Sequence, residues 1–139
     1  TKFETTGQGN VDTLGLFILV TEGDYYIENI LGVAYKNTSV ALFDGIISAN
    51  SGGLAQPSRE TLLSAVLRHE IGHMLGLVNI GTEMQTNHLD EAHGKHCDNE
   101  QCLMHHKMQT TDGVSALAGN IIPDLDANCQ ADLKANGGK

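Results

Sequence analysis

Two histidines four residues apart, with a glutamate beside the first, mark the stretch "LSAVLRHEIGHMLGLVN", residues 63–79. On a helix, positions four apart lie one turn apart on the same face. His69 and His73 can then aim two imidazoles at one ion, at metal–nitrogen distances of about 2.0–2.1 Å. Glu70 starts from the neighbouring direction and can reach a metal-bound water. The chemistry open to this pattern is metal-assisted hydrolysis. The ion acidifies the water and polarises a carbonyl, and Glu70 takes a proton and later delivers it to a leaving group. Zinc fits because imidazole suits it and hydrolysis needs no redox change. The five-residue pattern also arises by chance, so the elements around it must carry part of the case.

A helix that positions these residues is well marked. Leu62, Leu63, Val66, Leu67, Ile71, Met74 and Leu75 recur at helical spacing from Arg59 onward. Ser58 reads as its N-cap, with Thr61 at the third position, and Gly76 as the stop three residues past His73. Upstream, three strands are expected at 14–20 ("LGLFILV"), 27–37 and 38–48, the first a buried strand and the last two joined by a turn at Lys36-Asn37. Residues 49–58 read as a loop. Residues 79–112 are polar and hold five of the seven histidines, His88, His93, His96, His105 and His106. A loop of that length in a compact domain is usually functional. A short helix over 125–136 would end at Gly137-Gly138.

Length and composition set the frame. The 139 residues make one domain, 1–139, with a sheet and active-site helix in 1–76 and a loop-rich remainder in 77–139. No apolar run approaches the roughly 18 residues of a membrane span. The formal net charge of −9 argues against a nucleic-acid partner and against anionic membranes. The first residues, "TKFETTGQGN", have no signal-peptide character and no initiator Met, which fits a processed or excised piece. A secreted or cell-envelope location would suit a removed leader; a cytoplasmic one stays open.

"HEIGHMLGL" resembles the active-site helix of the metzincin metallopeptidases, whose pattern runs H-E-x-x-H-x-x-G-x-x-H/D. The last position falls on Asn79, a poor zinc ligand. Downstream, "HCDNEQCLM" (96–104) resembles the archaemetzincin pattern H-C-x4-C-x-M, in which the histidine is the third zinc ligand. The resemblance therefore implies that His69, His73 and His96 hold a catalytic zinc, with residues 79–95 as an insertion ahead of His96. His93 and His88 lie in that insertion and compete for the place. "LGVAY" and "SVALFD" resemble the edge strand and its neighbour that precede the metzincin helix, where an extended peptide substrate pairs with the edge. The implied fold is α+β and metzincin-like: a small twisted mixed sheet packed on the active-site helix, with an irregular zinc-binding C-terminal half. Met104 matches the methionine of the Met-turn beneath the zinc, and His106 falls where some members place a group near the metal, a candidate transition-state stabiliser.

The three cysteines, Cys97, Cys102 and Cys129, cannot form a closed disulfide set. Archaemetzincins gather two such cysteines with a later C-x-x-C around a structural zinc. Here "CQAD" offers Cys129 and Asp132, so Cys97, Cys102, Cys129 and Asp132 are the implied ligands. A Cys97–Cys102 disulfide with Cys129 buried as a small apolar residue is the alternative. The resulting expectation is a monomeric zinc endopeptidase acting on protein or peptide in extended form. A zinc-stabilised peptide-binding module that no longer cuts is the second reading, and a domain with fortuitous histidines the third.

Overall fold

The computed structural model describes residues 15–138. Leu14, the first residue of the expected 14–20 strand, lies outside them, as do residues 1–13 and Lys139. The described chain is a small mixed α+β structure. Three strands, β1 (Phe17–Thr21), β2 (Gly32–Tyr35) and β3 (Ser39–Phe43), form one sheet in the order β1-β3-β2. β1 runs parallel to β3 from Phe17 beside Ser39 to Thr21 beside Phe43, and β2 runs antiparallel to β3. Among the described residues β2 therefore has a strand partner on one edge only.

Two sequence expectations are corrected here. "LGLFILV" reads as a buried strand, yet Phe17, Ile18, Leu19 and Val20 are 41–50% exposed, because β1 is an outer strand. Apolarity marks the strand without saying which face is covered. The expected strand over 38–48 ends at Phe43, and Asp44–Ala49 turn into a short helix, α1. The paired isoleucines at 46 and 47 look β-like in sequence, but Ile47 is fully buried from helical backbone.

The long helix α2 (Arg59–Met74) starts as expected: the Ser58 hydroxyl accepts the Thr61 N–H at 3.1 Å. Its buried side, Leu62, Ala65 and Val66, packs on Val40 and Leu42, two residues apart on one face of β3, and on Leu31 and Ile47. Removing one such leucine to alanine would cost about 2–5 kcal/mol. The helix ends at Leu75, and Gly76 takes φ +82°, a left-handed C′ position that glycine adopts without strain.

A second core gathers Leu77, Val78, Met104 and the three cysteines. Two 3₁₀ segments, His106–Gln109 and Thr111–Leu117, then lead to α3 (Ala127–Ala135), which Asp126 caps by accepting the Cys129 N–H. No helix among the described residues is long and apolar enough to cross a membrane.

Candidate metal centre

Helix α2 carries His69, Glu70 and His73 into the interior, where they are buried. The chain leaves the helix through Val78 and Asn79, both at positive φ, and Asn79 points outward, exposed. Asparagine tolerates this left-handed turn. The residue that is a poor ligand in the sequence is thus a turn residue in the structure.

The insertion then folds back along residues 96–98. Asp90 N–H donates to the His96 carbonyl at 2.8 Å, Asp98 N–H to the His88 carbonyl at 3.0 Å, and Leu89 bridges Cys97. At this isolated bridge the neighbouring side chains of His96 and Cys97 part. His96 goes to the helix, with its ring centroid 5.3 Å from His69 and 5.0 Å from His73. Cys97 goes to the second core.

The ligand nitrogens of His69, His73 and His96 lie within 4.8 Å of one another, which suits a bound metal. The hydrogen bonds settle which atoms face inward. His69 Nδ1 donates to the Leu103 carbonyl at 2.7 Å, leaving Nε2 buried without a partner. His96 Nδ1 donates to the Gly94 carbonyl at 2.8 Å, directing Nε2 inward. Carbonyl bonds of this kind fix the tautomer and ring of a metal-binding histidine. Burial, with His73 alongside, holds His69 well below the usual imidazole range; burial with His96 and Lys95 brings His73 down to about 4. Both are therefore neutral at pH 7, the form in which imidazole binds a metal.

Glu70 is fully buried, and among the described residues neither carboxyl oxygen has a hydrogen-bond partner. Burial pushes its carboxyl up to about 8, and the Ala34 amide opposes this without reaching hydrogen-bonding geometry. A bound cation would favour the carboxylate again. Glu70 and His73 line a cleft of about 430 Å³, with Val33 and Ala34 of β2 on one wall and Lys95 and His96 on another.

Met104 lies beneath α2. A Cβ on Gly72 would overlap its sulfur, so the glycine between the two histidines is what lets it approach. His106 is not among the cleft-lining residues: its ring stacks on His93 at 3.5 Å and its Nδ1 is 3.3 Å from Asp90. His93 lines the cleft but spends its Nδ1 on Asp90 at 2.7 Å. The residue that sequence reading missed is Gln109, whose amide oxygen is 3.2 Å from His96 Nε2. Its carbonyl accepts the Leu31 N–H at 2.8 Å, a contact across 78 positions of chain that no local pattern signals.

All three cysteines are buried free thiols, with Cys102 and Cys129 sulfurs 3.7 Å apart. Asp132, the expected fourth ligand, is committed elsewhere. One oxygen accepts the Gln85 N–H and the other meets His88 Nε2, both closely. His88 instead turns its Nδ1 to Cys97 Sγ at 3.4 Å and belongs to a metal-capable group with Cys97, Cys129 and Asp126. No protein-family model, curated protein or solved structure matches this chain, so its own geometry carries the functional reading.

Proposed function

We infer that the chain is a zinc-dependent endopeptidase of the metzincin type. The observation that carries this reading is Glu70: a buried carboxyl group with both oxygens unpartnered among the described residues, lining a cleft beside three clustered histidines. A site that only stabilised the fold would have no use for such a base. A zinc ion held by His69, His73 and His96 would supply a Lewis acid and an acidified water. Glu70 would hold that water, take its proton and pass it to the leaving amine.

The edge of β2 that no described strand pairs with borders the same cleft through Val33 and Ala34, where an extended peptide could add as a strand. The cleft also carries Lys36 and Lys95. In a chain of net charge −9, Arg59, Arg68 and Lys107 have carboxylate partners, whereas these two lysines have none among the described residues. The substrate class that fits is a peptide with acidic side chains flanking the scissile bond.

Glu70→Gln should keep both zinc and fold while cleavage of a broad peptide library falls by about 10²–10⁴-fold. Cleavage near the wild-type rate in that variant would sink the assignment. Zinc bound by the wild-type protein with no peptide cut would favour a binding module instead.

A further inference from the structure

Three buried sulfurs and one buried imidazole converge in the second core: Cys97, Cys102 and Cys129 are 0% exposed and His88 is 1% exposed. His88 Nε2 meets Asp132 Oδ2 at 2.8 Å, so its Nε2–H donates there and Nδ1 keeps its lone pair. That lone pair faces sulfur, 3.4 Å from Cys97 and 4.0 Å from Cys129. Cys102 accepts N–H bonds from Met104 and Asp126, each at 3.4 Å, as a thiolate ligand would. A fully buried histidine–aspartate pair is a costly way to pack beside three small apolar side chains. It is a fitting way to orient a ligand, since metal-binding histidines characteristically donate their other nitrogen to a carboxylate.

We propose that His88, supplied by the insertion, is the fourth ligand of a closed tetrahedral zinc centre with Cys97, Cys102 and Cys129, and that Asp132 is its positioning residue. Three thiolates and an imidazole are a donor set that selects zinc. Asp126 is the rival ligand, its Oδ2 accepting from Cys97 Sγ at 3.4 Å, but its Oδ1 caps α3 at Cys129 N–H and the same Oδ2 takes the Asn99 amide at 3.1 Å. The centre ties three separate segments together: the insertion at His88, the turn at Cys97 and Cys102, and α3 at Cys129. Because His96 adjoins Cys97, it also braces the segment that carries a candidate ligand of the cleft. The inference needs no peptidase activity and survives if that reading fails.

The test counts metal in a His73→Ala background, which disables the three-histidine site, using zinc content and the thiolate-to-metal charge-transfer bands of the Co²⁺-loaded chain. The parent variant should bind one ion per chain with bands of a three-thiolate site. Adding His88→Ala should release the ion. Asp132→Asn should weaken zinc affinity about 10–100-fold. Asp126→Ala should leave the bands unchanged. If His88→Ala does not fold, His88→Cys decides: it should keep the metal, with stronger charge transfer from a fourth thiolate. Full retention of the ion in His88→Ala, unchanged bands in His88→Cys, or a Cys102–Cys129 disulfide in metal-free parent protein would overturn the proposal.

Discussion

Two of the histidine-bearing groups among the described residues differ in what surrounds them. The cluster of His69, His73 and His96 opens on a cleft and has a base, Glu70, beside it. The cluster of His88 and the three cysteines is closed on all sides, and its nearest carboxylates cap a helix or orient a ring. Structural zinc sites are closed, while catalytic ones keep a position open for water and substrate. The adjacent residues His96 and Cys97 divide between the two. Their different directions at one isolated bridge let a single short backbone stretch position both groups.

The sharpest way to break this comparison is to remove one member of that dipeptide at a time. Cys97→Ser should destabilise the chain by more than about 4 kcal/mol, the scale of a lost structural metal, and weaken the open centre as well, because His96 is the adjoining residue. Calorimetric melting with zinc counting checks it; a variant as stable as wild type would detach the closed centre from the fold. His96→Ala should do the reverse. Peptide cleavage should fall below detection and one zinc should leave, while the melting temperature moves by only a few degrees.

Smaller effects sharpen the picture around the open centre. Lys95→Glu should slow cleavage of peptides with acidic flanks by about 10-fold or more through KM while sparing neutral peptides, as like charges oppose each other in the cleft. Equal losses on both peptide classes would remove Lys95 from specificity. Gly72→Ala should cost about 1 kcal/mol net, because overlap with the Met104 sulfur outweighs the helix propensity gained. A gain in chemical-denaturation stability would show that Met104 can move aside. Ser58→Ala, far from both centres, should also cost about 1 kcal/mol at most through the lost cap, without touching metal content.

What the sequence made legible follows the range of the interactions. Helix α2, its Ser58 cap and its Gly76 stop are local features, and each lies where periodicity and capping chemistry put it. His96 joined His69 and His73 in the reading through a resemblance, and the structure brings the three rings together. Gln109 and the His88–Asp132 pair depend on chain segments meeting across the fold, which spacing does not encode. Asp132 contacts the Gln85 N–H and His88 Nε2, partners that its place in "CQAD" does not signal. α1 was misread because two β-branched residues outweighed its short helical stretch.

The most direct test of the central claim, that His96 and Cys97 split into an open and a closed zinc centre, is an anomalous-scattering map at the zinc edge from crystals of the zinc-loaded protein. Two peaks are expected, one bounded by His69, His73 and His96 and the other by His88, Cys97, Cys102 and Cys129. A map with His96 turned away from the first peak, or with a single ion serving both groups, would contradict it.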